Sequence, residues 1–158
     1  MMSRYEKWSL LVEVLGFLAV AGSIFLLMQQ TTAQVESLRS SSYIAVNSKQ
    51  LELDSIFIQN PDLRPYFFEK KKIDKNDKNY YKVVSLADYT IDYFDLFYSQ
   101  VDYFLPPKID PKQKAFNSWN TYIKQSFKLS PVLCQRLNEV KSWYTPEFVQ
   151  FAGSECHY

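Results

Sequence analysis

Glycine is scarce in this chain, with 3 in 158 residues, and histidine scarcer still, with one. So little glycine leaves almost no material for a loop that cradles phosphate on its backbone N–H groups. One His and two Cys exclude a zinc site built only from those residue types within one chain, because such a site takes four ligands. An excess of charge is lacking as well. The net charge of +1 gives no overall electrostatic case for binding nucleic acid, so none is expected as a partner. No G-x-S-x-G, H-E-x-x-H, P-loop or G-x-G-x-x-G motif occurs. What the chain does have is rings: 12 Tyr, 12 Phe and 3 Trp. A chain so aromatic and so poor in glycine is neither disordered nor low-complexity.

The ordinary average hydropathy conceals two unlike parts. No charged residue lies between Val14 and Val35, and the stretch from Val14 to Met28 is apolar at its heart. Trp8, Leu10, Leu11 and Val12 extend it on one side, and the uncharged Gln29 to Thr32 on the other. A spanning helix needs about 20 mainly apolar residues, so residues 8–32 are expected to cross a lipid bilayer. Glu13 lies close enough to Trp8 to sit near the membrane boundary, where a carboxylate costs less than at the centre. Tyr5 and Trp8 suit that boundary. A cleaved signal peptide is opposed by Glu13, by the long apolar extension and by the poor cleavage site at Thr31-Thr32-Ala33. A buried core helix using Gly16, Ala19, Ala21 and Gly22 is the third alternative.

Orientation is weakly encoded. Arg4 and Lys7 precede the span, Arg39 and Lys49 follow it, and both flanks carry about two positive charges. With Lys70, Lys71 and Lys72 further on, the expectation is a C-terminal domain on the cytoplasmic side of the cell membrane. Cys134 and Cys156 then read as two free thiols, one in the core and one in a frayed tail. In an oxidising compartment they could pair.

Residues 1–35 are thus an anchor with a short flank, and residues 36–158 a domain. No Gly or Pro falls between Ser23 and Asn60, so the anchor helix is free to continue as a stalk, with Val35, Leu38, Ala45, Leu51 and Ile56 as its candidate buried stripe. Asn60-Pro61 stops it, because the residue before proline avoids the α region. Lys70 to Lys78 reads as an exposed charged loop, with contact to anionic lipid as the sharper alternative. Tyr80, Val84, Ala87, Ile91, Phe94, Tyr98, Val101 and Leu105 then alternate in steps of 4 and 3 along one helix face. A helix over 111–128 carries Phe116, Trp119, Ile123 and Phe127 on one side. Ser130-Pro131 and Thr145-Pro146 are N-cap and first-turn signals for two more, the last closing near Gly153. Leu133, Leu137, Val140 and Tyr144 face inward. No alternating run predicts a sheet. The expected fold class is all-α: a transmembrane helix continuing as a stalk, then an aromatic-rich helical bundle.

Three constellations have chemical potential. Asp88, Asp92, Asp95 and Asp102 share a helix face, and carboxylates at that spacing can hold a hard cation or a shared proton. Di-iron bundles, however, add Glu-x-x-His pairs, which are missing here. A solvated acidic stripe is therefore expected, with no metal or other cofactor. Phe94, Tyr98 and Trp119 are candidate walls of an aromatic ligand pocket, against the plainer expectation of an aromatic core. Asn60, Pro61, Arg64, Pro65 and Tyr66 form a candidate structural clasp, with Arg64 fixed on a helix C-terminus or on a helix aspartate. His157 is too near the flexible end to serve Cys134 as a catalytic base, and no catalytic residue is assigned.

Asn60-Pro61-Asp62-Leu63-Arg64-Pro65-Tyr66-Phe67 resembles a turn found in a group of uncharacterised small bacterial single-pass membrane proteins. The likeness extends to Gln29-Gln30-Thr31-Thr32 at the exit of the apolar helix, and to Trp143-Tyr144 before Pro146-Glu147-Phe148. It implies a helical, membrane-anchored protein and carries over no catalytic or binding residue. The expected function is a non-enzymatic interaction or scaffold protein with a protein partner or a homo-oligomeric state. The alternative is a sensor of a small molecule or lipid.

Overall fold

The computed structural model describes residues 4–104 and 111–156, with the side chains of 5–7, 100–104 and 111–117 excepted. Val101, Asp102, Leu105, Phe116 and His157 of the expectations above lie outside those described side chains. Among the described residues six α-helices follow in order: α1 Arg4–Gln59, α2 Arg64–Phe68, α3 Tyr80–Phe104, α4 Pro111–Leu129, α5 Pro131–Val140 and α6 Pro146–Gly153. Single 3-10 turns occur at Pro61–Leu63 and Lys141–Trp143. No strand occurs among the described residues. The chain divides into a unit of residues 1–41 and a unit of residues 42–158.

In the first unit every large apolar side chain from Trp8 to Met28 is at least half exposed. Burial of this stretch as a core helix of its own chain is therefore not what the structure shows. Its hydroxyls are satisfied within the helix: Ser23 donates to the Ala19 carbonyl at 2.8 Å, Thr31 to Leu27 at 2.8 Å and Thr32 to Met28 at 2.9 Å. A bilayer requires this, since it offers polar groups no water. This is the one helix among the described residues long and apolar enough to cross a membrane.

The second unit is a bundle with α3 at its centre, flanked by α4, α5 and α6. Val83, Leu86, Ala87, Ile91, Tyr93, Phe94 and Phe97 of α3 are buried. That set is wider than the single face read from the spacing, because a central helix meets neighbours on more than one side. Its rings form a path through the core. Phe97 packs on Trp119 (4.4 Å between centroids), Trp119 on Tyr122, Tyr122 on Phe94, Phe94 on Phe127, and Phe127 on Phe148. Each such pair adds about 0.5–1.5 kcal/mol beyond its area of burial. This path of rings joins α3, α4 and α6.

The end of α1 enters this core, but on another face from the one expected. Val46, Leu53 and Phe57 are buried, whereas Leu38, Ala45 and Leu51 are exposed, Val35 is 41% exposed and Ile56 is only half-buried. Both faces carry few apolar residues, so spacing alone did not separate them. Phe57 decides the register, by packing edge-on against Phe67 at 5.1 Å and Phe68 at 5.0 Å. Tyr122 fixes it from α4, accepting a 3.0 Å hydrogen bond from Gln50.

The cap signals are realised. Ser130 accepts from the Leu133 N–H at 3.2 Å and Thr145 from the Phe148 N–H at 3.4 Å, each before a proline at the first helical position. Ser130 is fully buried and also donates to the Tyr66 carbonyl at 2.8 Å, tying α5 to α2.

Cys134 and Cys156 are joined as a disulfide, with Cα atoms 5.6 Å apart. The reading of two free thiols is corrected accordingly. The short α6 turns the chain end back onto α5, and the 22-residue separation closes there.

Candidate functional site

The turn after α1 holds several polar contacts. Asn60 ends the helix by donating its side-chain amide to the Ile56 carbonyl at 2.9 Å, and its Oδ1 accepts from Lys82 Nζ at 2.5 Å. Pro61 opens the 3-10 turn, and Pro65 stands in the first turn of α2. The Tyr66 ring is buried, with its hydroxyl turned outward to donate to Asp77 at 2.5 Å and to accept from Lys71 at 2.6 Å. The tyrosine hydroxyl and the backbone N–H of Asn79 hold the Asp77 carboxyl below its ordinary range. Lys70 takes a left-handed conformation (φ 59°), unusual outside glycine, and its N–H bonds the Leu129 carbonyl at 3.1 Å. The charged segment is therefore irregular but pinned at both faces of the turn.

Arg64 is exposed and lies over the Phe68 ring at 4.9 Å, not against a helix aspartate. The cation that does engage α3 is Arg136 of α5. Its Nε and Nη2 donate to the two oxygens of Asp88 at 2.5 and 3.2 Å, and its Nη1 meets Glu139 at 3.1 Å. Sequence reasoning missed this pair because the residues are 48 positions apart.

Two of the described aspartates have separate hydrogen-bond partners. Asp88 faces Arg136, and Asp92 accepts from the Tyr144 hydroxyl at 2.7 Å. Asp95 has a buried Oδ1 without a hydrogen-bond partner. Burial, and then the charge of Asp92, raise its carboxyl above the ordinary value, against a smaller opposing effect of Ser99. Burial and the bond to Asp92 likewise make the Tyr144 hydroxyl harder to ionise. Among the described residues no group of three or more His, Cys, Asp or Glu is placed to hold a metal.

Of the candidate pocket rings, Phe94 is wholly buried among other rings, and Tyr98 is stacked on Phe151 at 4.7 Å. Trp119 borders a shallow open groove of about 290 Å³ with Gln50, Ser118 and Tyr122. A larger cleft of about 540 Å³ lies elsewhere, beside the disulfide. Ile73, Leu137 and Val149 are among its apolar walls, and Lys72 and Lys141 line it as well. No spacing signal marks this cleft, because its walls come from the segment after α2, from α5 and from α6, which are remote in sequence. No family model matches the chain, and neither does any curated protein or solved structure.

Proposed function

We propose that this chain is a single-pass membrane protein, anchored through residues 8–32, whose helical domain serves as a non-enzymatic interaction module. The observation that carries the reading is an apolar face left uncovered on the bundle's own first helix. Ile44, Leu51 and Ile58 are 64%, 69% and 78% exposed, while Phe94 is buried in the core and Tyr98 and Trp119 pack against it. An uncovered row of large aliphatic side chains on one helix face supports a surface that meets another protein. The separate engagements of Asp88 and Asp92 support a structural role for those carboxylates.

The disulfide bears on orientation. A cytosol keeps thiols reduced, whereas a Cys134–Cys156 bond persists in an oxidising compartment. We therefore place the domain on the non-cytoplasmic side, in place of the cytoplasmic side expected from the nearly even flanking charge. The test is the native mass and composition of the full chain extracted from membranes in mild detergent. A complex with one stoichiometric partner, whether a second copy or a different protein, supports the module. A lone monomer overturns it.

A second reading, a small-molecule sensor, draws on the cleft beside the disulfide. Its size falls within the range of roughly 300–1,000 Å³ typical of ligand sites, and its apolar walls with Lys72 and Lys141 suit a small amphipathic carboxylate. Titration of the purified full chain with medium-chain fatty acids tests it. Saturable binding weakened by Lys72→Glu with Lys141→Glu supports the sensor, and binding indifferent to both substitutions counts against it.

A further inference from the structure

The uncovered face of α1 has a rhythm that identifies its partner. Ile44, Leu51 and Ile58 are spaced by seven, and Ser48 and Ser55 fall between them, so large and small side chains alternate in steps of 4 and 3. At 3.6 residues per turn this strip lies roughly 160° round the helix from the buried Val46, Leu53 and Phe57. One face of the helix is therefore used by its own bundle and the opposite face by nothing described. A seven-residue repeat of apolar positions is the pattern of a left-handed two-helix seam.

We propose that the occupant is a second copy of this chain, packed in parallel along this strip. The inference rests on the interaction-module reading and names its partner. Four observations favour a copy. The strip is self-complementary, since it presents knobs (Ile44, Leu51, Ile58) and, at the serines, room for knobs, as a two-fold contact demands. Its own positions hold no charge, so identical copies meet without repulsion at the centre; of the acids that flank it, Glu52 is paired with Lys49 at 2.7 Å and Asp54 accepts from the Gln50 amide at 3.2 Å. The Ser48 hydroxyl donates to the Ala45 carbonyl of its own helix at 2.8 Å and needs no new partner in a dry seam. The anchor, finally, gives any two copies the same orientation in one membrane, which makes the pair parallel.

Area sets a condition. From Ile44 to Ile58 the helix offers about 20 Å of contact, far short of the roughly 800 Å² per partner of a standard interface. Pairing therefore depends on the anchor. Confinement of both chains to one bilayer raises their effective concentration.

The test is oxidative cross-linking of the full chain in membranes. Ile44→Cys, Leu51→Cys and Ile58→Cys are compared with Lys49→Cys, an exposed position on another face. The native cysteines are already paired with each other. The expected result is a cross-linked dimer at least about fivefold more abundant at 44, 51 and 58 than at 49, and abolished for Ile44→Cys when Leu51→Glu is added. Because these side chains are exposed, the thermal melt of each variant should match the parent, which checks folding. Equal cross-linking at all four positions, or none at any, overturns the pairing. A stable complex with a different protein, together with no self-cross-link, overturns the pairing while leaving the interaction module standing.

Discussion

Cys134 on α5 and Cys156 beyond α6 are covalently joined, so the segment between them, spanning a separation of 22 residues, is closed as a loop on the bundle. A loop of that size constrains the unfolded chain by about 3 kcal/mol in the chain-entropy account. Reduction, or Cys134→Ser with Cys156→Ser, should lower the thermal midpoint of the full chain by about 10 °C. Unfolding with and without reductant checks this. Alkylation of the membrane-embedded protein should label neither cysteine until a reductant is added, and labelling without reductant would contradict the oxidised state.

Asp88 and Arg136 are 30% and 21% exposed, and their contact has two hydrogen bonds, so the pair is stronger than a surface ion pair. Arg136→Met should destabilise the bundle by about 1–2 kcal/mol, because it strands a half-buried carboxylate. Asp88→Asn should cost less. A double-mutant cycle of chemical unfolding is the measurement, with a coupling of about 1 kcal/mol expected. Additive effects would mean that the two groups do not sense each other.

Ser130 and Thr145 begin helices in the same way but differ in burial. Thr145→Ala removes an exposed cap and should cost about 1 kcal/mol or less. Ser130→Ala removes a cap and also leaves the buried Tyr66 carbonyl without its partner, so about 2–4 kcal/mol is expected. Equal losses in denaturant titrations would show that the link between α5 and α2 contributes nothing.

Asp95 and Asp77 should give opposite pH responses. The Asp95 carboxyl is raised on folding by burial, so its penalty is absent below the ordinary value of 3.8 and grows as pH rises through the folded value. Asp95→Asn should therefore raise the thermal midpoint at pH 7 and leave it nearly unchanged at pH 3. The Asp77 carboxyl is lowered on folding by the Tyr66 hydroxyl, so its contribution is present above 3.8 and is lost as pH falls through the folded value. Asp77→Asn should lower the midpoint at pH 7 and matter least in strong acid. Thermal melts of both variants across this range decide it, and shifts of the same sign at pH 7 would refute the assignment.

What the sequence determined by itself is what is encoded locally. The apolar stretch before Gln29 lies within the uninterrupted helix α1. Asn60-Pro61 ends α1, Ser130-Pro131 and Thr145-Pro146 start α5 and α6, and the steps of 4 and 3 from Tyr80 to Tyr98 lie along α3. Each of these is a backbone or capping effect within a few residues, so it survives without knowledge of the partner. The turn from Asn60 to Tyr66 was legible as the end of α1, but the contact of Arg64 with the Phe68 ring was not. Tertiary structure alone decided which face of α1 is buried, that Cys134 meets Cys156, and that Arg136, remote in sequence, holds Asp88. Those outcomes depend on where another element stands when the core closes. On α1 the two faces have nearly equal apolar content, and the deciding force is the packing of Phe57 against Phe67 and Phe68. The face that packing leaves outside is the strip on which the proposed pairing rests.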